Sequence, residues 1–346
     1  VDEENEESDE QRIIAEPIYD ADSSVFFDLG AKKQDKSDAK RCYVITSMSR
    51  ADYENEYGDN PSSWPKDINQ SEFEGLKKNI KIEKIVAGGS VANTMAGIAH
   101  LRGNPSFIGK ISSDNFGEIY RKSLQDINVN FSYLEKDEDL PTGASIILIT
   151  PDSERTMCTY LGISSHLSDK DINEKNIIAH DLIFLEGYLW DKGISEKMFK
   201  HTINIAKKSK VKIAMSLSDI FCVTRHRQDF YQLLKNDLDI LIGNENEIKE
   251  LMNKKNLLQS INQLKVFNKL IVITRSEKGS VAIQNNEVIN CESIKVKKVL
   301  DLTGAGDLFA AGFLKEYIDQ SEIKKCLYNG SFIASKIIQK IGARLN

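Results

Sequence analysis

Leu182-Ile-Phe-Leu185, Val211-Lys-Ile-Ala-Met-Ser-Leu217, Leu238-Asp-Ile-Leu-Ile242 and Leu270-Ile-Val-Ile-Thr274 are short aliphatic runs bounded by polar or glycine residues. Runs of this length and composition predict strands buried on both faces. Between them lie Glu196–Lys208, Gln228–Leu234, Glu245–Met252 and Leu258–Asn268, all with helical spacing. Strand–helix alternation implies right-handed βαβ crossovers, hence an α/β fold: a doubly wound, mostly parallel sheet with helices on both faces. Two further helices, about Gly306–Ile318 and Glu322–Ile341, close the chain.

Upstream the pattern changes. Ser145–Thr150 and Thr156–Tyr160 flank Pro151-Asp152-Ser153, which predicts a hairpin with no helix between its strands. Cys42–Thr46 is another strand candidate. A few such strands would form a small sheet covering one end of the body, a lid drawn from about 20–47 and 129–162. Residues 1–10 carry seven acids and read as a solvated tail, leaving 11–346 as one domain. The stretch from about Arg50 to Gln70 reads as a surface loop in which Trp64 packs against something.

Composition narrows the function. In 346 residues, 46 basic against 52 acidic side chains give 46 − 52 = −6, which recommends neither nucleic acid nor an anionic membrane as partner. No run approaches the ~18 apolar residues of a membrane span. The acidic start is unlike a secretory or mitochondrial leader. Five scattered cysteines, none in a C-x-x-C pair, fit a reducing, cytoplasmic setting and argue against zinc.

Three motifs carry chemistry. Asp301-Leu-Thr-Gly304-Ala305-Gly306-Asp307 opens the helical run from Leu308. Small residues at a helix start leave amides pointing outward at the positive end of the dipole, an anion site. Asp307 there could take a proton from a hydroxyl while the amides hold developing charge; equally, it could be a favourable dipole partner. Gly88-Gly89-Ser90-Val-Ala-Asn93 opens a second helix, where glycines permit close backbone approach and Asn93 offers donor and acceptor; a simple tight turn would look the same. Asn244-Glu245-Asn246-Glu247 follows a strand, at the sheet edge where α/β proteins bind ligands, with oxygens suited to hydrated Mg²⁺ or to a capped helix start. Neither a P-loop nor an early Gly-x-Gly-x-x-Gly occurs, which disfavours P-loop chemistry and a dinucleotide oxidoreductase.

In this order and spacing the three motifs resemble the PfkB (ribokinase-like) family of carbohydrate and nucleoside kinases, over about 81–346. The resemblance is to adenosine-kinase-type members at Glu154–Gly162, Glu186–Trp190, Ser216–Arg227 and Thr274–Gly279. It implies Asp307 as catalytic base and Gly304, Ala305 and Gly306 as anion hole, with Arg155 meeting the phosphoryl from the lid. It implies that Gly88, Gly89 and Asn93 hold acceptor hydroxyls, and that Asn244 and Glu247 order Mg²⁺ through water beside ATP. Thr274, Gly279, Asn329 and Ser335 would border the nucleotide. A monovalent cation such as K⁺ near Asp301 is a further expectation from some relatives.

The chain departs from the family near its start. Ala15-Glu16-Pro17-Ile18-Tyr19-Asp20 is the nearest match to the Gly-Asn-Pro/Ala-x-x-Asp of relatives: Asp20 can take the role of the Asp that binds sugar hydroxyls, but Glu16 replaces the Asn and Ala15 the Gly. Ser276 stands where many relatives have Gly. The expectation is an ATP-dependent kinase acting on a primary hydroxyl of a ribose-containing substrate, adenosine first, working as monomer or homodimer. The alternatives are a sugar kinase (ribose, fructose or keto-deoxy sugar acid) and a catalytically silent ligand-binding homologue.

Overall fold

The structure is a computed structural model that describes residues 28–30, 68–78, 85–132, 139–149, 155–192, 195–340 and 342–345. Asp20, the 1–10 tail, Cys42–Thr46 and Trp64 lie outside them. In chain order the elements are β1 (Asp28–Gly30), α1 (Gln70–Lys78), α2 (Ser90–His100), β2 (Ser106–Ile108), α3 (Asn115–Gln125) and β3 (Asn130–Ser132). Next come β4 (Thr142–Ile149), β5 (Arg155–Gly162), α4 (Glu174–Ile178), β6 (Leu182–Glu186), α5 (Ser195–Ser209), β7 (Lys212–Ser216) and α6 (Ile220–Asn236). Then follow β8 (Ile240–Asn244), α7 (Glu245–Leu251), α8 (Leu257–Leu264), β9 (Leu270–Thr274), β10 (Ser280–Gln284), β11 (Glu287–Cys291), α9 (Ala305–Ile318) and α10 (Ile323–Ile337).

The main sheet runs β6-β7-β8-β9-β10-β11, parallel from β6 to β9 and antiparallel at the β10–β11 edge. Successive side chains alternate between its two faces. Ile213, Met215, Leu241, Ile271, Ile273, Val281 and Ile283 enter one core with α5, α6, α7 and α8. Ala214, Ile240, Ile242, Leu270, Val272 and Ala282 enter the other, with α2, α9 and α10. Helices thus cover both faces, which is why the strands read as unbroken aliphatic runs. Register sets Asn244 opposite Thr274, at the carboxyl ends of β8 and β9.

β1, β4 and β5 form a separate three-stranded sheet, β1 parallel to β4 and β4 antiparallel to β5. Asp114 ties it to the body. One carboxylate oxygen accepts from Gly117 N at 2.8 Å and caps α3; the other accepts from Thr142 N at 2.7 Å at the start of β4.

Some elements differ from expectation. α6 begins eight residues before Gln228, because Asp219 caps it by accepting from Cys222 N at 2.7 Å, and a non-helical His226 hides the continuity. The helix expected from Leu258 to Asn268 ends at Leu264, with a short tight turn to Phe267. The β10–β11 hairpin and α3 had no counterpart in the sequence reading.

α2 and α9 approach closely. A Cβ on Gly97 would lie 2.6 Å from the Ala311 Cβ, so only glycine permits this packing. Asn93 sits one turn before Gly97 and Asp307 one turn before Ala311. The contact therefore brings two motifs together.

Candidate active site

α9 starts without a side-chain cap. Its N-cap is Gly304, in the left-handed region at φ 74°, a conformation that costs glycine nothing. A Cβ there would also strike Ala343 at 2.7 Å. Ala305 N donates to Leu302 O at 3.2 Å, so this amide of the expected anion hole is engaged by the turn. Among the described residues no acceptor meets the amides of Gly304, Gly306 and Asp307. A Cβ on Gly306 would meet nothing within 4 Å, so this face is open. Unpaired amides at the start of a fourteen-residue helix fit a phosphoryl group.

Asp307 lies half-buried in the first turn. Burial pushes its carboxyl up to about 6, opposed by hydrogen bonds from Asn93 and Ser90. Asn93, fully buried on α2, donates from Nδ2 to Asp307 Oδ2 at 2.9 Å. Thr94 Oγ1 donates to the Asp307 carbonyl at 3.2 Å. A carboxylate with its pKa raised toward neutrality, held by neutral donors beside open amides, can accept a proton from an alcohol.

The residues at the other motifs are placed differently. Gly88 and Gly89 are buried, and the Gly88 carbonyl accepts from Arg344 Nη2 at 3.1 Å. Asn244 and Glu247 form a complete capping box. Asn244 Oδ1 accepts from Asn246 N at 2.9 Å and Glu247 N at 3.0 Å, while Glu247 Oε2 accepts from Asn244 N at 2.8 Å and Oε1 from Asn244 Nδ2. Glu247 is buried, and desolvation, aided by the nearby Asp219 charge, pushes its carboxyl up to about 7 against the Asn244 backbone hydrogen bond. No group of three or more His, Cys, Asp or Glu side chains able to hold a metal exists among the described residues. A single buried carboxylate still fits Mg²⁺, which takes few protein ligands and keeps several waters.

Thr274 ends β9, and Gly279 closes the following turn, its carbonyl accepting from Arg275 N at 2.9 Å. Asn329, half-buried on α10, hydrogen-bonds Glu316, and the Ser335 hydroxyl donates to Phe332 O at 2.7 Å in its own helix. Arg155 opens β5 opposite Ile149; its side chain lies outside the described residues. Asp301 is buried, its two oxygens accepting from Thr303 N at 2.7 Å and Gly342 N at 3.0 Å. The sequence reading missed Arg344, whose Nε donates to Asn93 Oδ1 at 3.3 Å, and Thr94. No local pattern marks Arg344; only the folded chain brings it here.

An α/β body, a small separate sheet and a half-buried carboxylate beside open helix-start amides define a kinase of the ribokinase-like class. The chain belongs to the pfkB family of carbohydrate kinases, which it matches over residues 67–346. It is accordingly an ATP-dependent phosphotransferase acting on a hydroxyl. The 5-dehydro-2-deoxygluconokinase of Listeria monocytogenes serotype 4a (strain HCC23) is 27% identical over 285 residues, 79% of this chain and 87% of that protein. The protein of the same name from Halalkalibacterium halodurans is 28% identical over 286 residues, 79% and 86% of the two chains. Among solved structures, adenosine kinase from Sinorhizobium meliloti superposes with a TM-score of 0.77 at 34% identity, covering 81% of this chain and 86% of that one. A probable sugar kinase from Rhizobium etli CFN 42 gives a TM-score of 0.76 at 32% identity, covering 80% and 84%. The phage P22-like portal protein family also matches, over residues 1–114, less than half of the chain and overlapping the kinase match. No described helix is long and apolar enough to cross a membrane.

Proposed function

We propose that this kinase phosphorylates a keto-deoxy sugar acid of the 5-dehydro-2-deoxygluconate type at its primary hydroxyl. The observation that carries this reading is the set of relatives bearing that substrate in their name, aligned over 79% of this chain and 86–87% of their own. A second reading, adenosine as acceptor, is favoured by the 34% identity to the Sinorhizobium meliloti adenosine kinase.

In either case Asp307 takes the hydroxyl proton as the new oxygen–phosphorus bond forms and the bond to the leaving nucleoside diphosphate breaks. The Gly304, Gly306 and Asp307 amides hold the charge on the transferring group, and Arg155 approaches it from the lid. Gly88, Gly89, Asn93 and Asp20 hold acceptor hydroxyls. Thr274, Gly279, Asn329 and Ser335 border the nucleotide, and Asn244 and Glu247 hold Mg²⁺ through water. Bound Mg²⁺ supplies charge neutralisation at the phosphates. A monovalent cation beside Asp301 would share a carboxylate that already accepts two amides; rates in K⁺ against Na⁺ test that cation.

A substrate panel separates the readings. ATP consumption is followed with 5-dehydro-2-deoxygluconate, ribose, fructose and adenosine, with Asp307→Asn as control. The sugar acid is expected to give the highest kcat/KM. Adenosine turning over at least ~10-fold better, a difference of about 1.4 kcal/mol in the transition state, would replace the first reading with the second.

A further inference from the structure

We infer that Arg344 is a positioning residue: it fixes which way the Asn93 amide faces and so keeps a donor on Asp307. This rests on reading Asp307 as the base. Arg344 reaches three places at once. Its Nε donates to Asn93 Oδ1 at 3.3 Å, Nη1 to Ser123 Oγ on α3 at 3.2 Å, and Nη2 to the Gly88 carbonyl at 3.1 Å.

A guanidinium has donors and no acceptor. The Asn93 atom facing it must therefore be the carbonyl oxygen, and the amide nitrogen is turned onto Asp307 Oδ2 at 2.9 Å. Without the guanidinium the amide can rotate by half a turn. It would then set an oxygen against the carboxylate, replacing a hydrogen bond by lone-pair repulsion.

The segment carrying Arg344 is anchored on the other side of the site. Leu300 N donates to Ile338 O at 2.8 Å, Gly342 N to Asp301 Oδ2 at 3.0 Å, and Ala343 lies against Gly304. One short stretch thus joins the anion loop to the acceptor loop, and its arginine sets the contact between them. The groups acting on the Asp307 carboxyl are Asn93 and Ser90 of α2, neither titratable, and the charged side chain that faces it across the Asn93 amide is Arg344. Arg344 keeps its charge across the whole working range. Removing it takes away a fixed positive charge, which alone raises the Asp307 midpoint; the part carried by Asn93 is the part that disappears once Asn93 is alanine.

The test follows the Asp307 carboxyl by carbon NMR titration in the full-length protein: wild type, Arg344→Gln, Arg344→Lys, Asn93→Ala and the double variant Asn93→Ala/Arg344→Gln. Arg344→Gln is expected to raise the midpoint by about 0.5–1 pH unit, Arg344→Lys to restore part of it, and Arg344→Gln to shift it by clearly less once Asn93 is alanine. With the preferred acceptor, kcat falls ~10-fold while the KM for ATP stays within about twofold. An unchanged midpoint in a folded Arg344→Gln protein, or an equal shift in the Asn93→Ala background, would overturn the inference. So would a loss of kcat with no change in titration, which would make the residue merely structural. Activity retained by Asp307→Asn would instead remove the reading of the base while leaving the NMR result intact.

Discussion

Two of the helix starts that carry an acid in the first turn, those of α7 and α9, are finished in opposite ways. At α7 the Asn244 and Glu247 side chains satisfy each other's backbone amides in a closed capping box. At α9 the N-cap is a glycine with no side chain to offer, and among the described residues no acceptor meets the amides of Gly304, Gly306 and Asp307. The sequence patterns look equally functional. A closed cap leaves a helix start little capacity for an anion, whereas an open one is a site held ready. On the proposed reading, the open start is where the base works and the closed one is a helix cap beside the nucleotide.

The largest effect is expected at the open start. Asp307→Asn should lower kcat about 10²–10⁴-fold with ATP binding retained, measured by steady-state kinetics and titration calorimetry. The same variant should be more stable than wild type at neutral pH. The folded carboxyl titrates at about 6, above its ordinary 3.8, so the native state holds the proton more tightly than the unfolded chain. Stability is then lost as pH rises from about 4 through about 6, and asparagine escapes that loss, a gain of at most about 3 kcal/mol visible in Tm at pH 7.5. Wild-type turnover should show the mirror image. Rates fall as pH drops through about 6, because only the ionised base accepts a proton. Activity independent of pH between 5 and 7 would contradict the assignment.

Next in size are the glycines. Gly306→Ala adds a methyl in open space and should leave Tm unchanged while slowing transfer, about 10–100-fold if a phosphoryl occupies that space. Gly304→Ala should do the reverse to stability. Its φ of 74° and the Ala343 contact at 2.7 Å predict a loss of about 1–3 kcal/mol in chemical denaturation.

The smallest effects belong to the closed start. Asn244→Ala should cost about 1 kcal/mol by removing the cap. Glu247→Gln keeps an acceptor for Asn244 N but sets a donor against Asn244 Nδ2, and should cost about 1 kcal/mol. A kcat loss in Glu247→Gln as large as in Asp307→Asn would erase the distinction between the two starts.

Much of this was legible beforehand. β9 runs from Leu270 to Thr274 as its aliphatic run indicates, and α9 starts one residue before the expected Gly306. The run of α6 back to Ile220 was not legible, because its N-cap signal, Asp219, lies among residues with no clear apolar period and His226 interrupts the helix. Within the site, Asn93 and Asp307 were identified separately from their own helix starts. Their hydrogen bond was not, and neither was the capture of the Ala305 amide by Leu302.

Local rules acting over a few residues set what the sequence alone determined: aliphatic runs buried on two faces, helix periods between them, and glycine-rich helix starts that leave amides exposed. The tertiary structure decided which of those starts stays open and which groups meet there. Asp307 and Asn93 are 214 residues apart, Arg344 and Asn93 251 apart. Such pairs form only after the chain closes long loops and packs α2 on α9 at Gly97 and Ala311, a contact that no sequence period encodes.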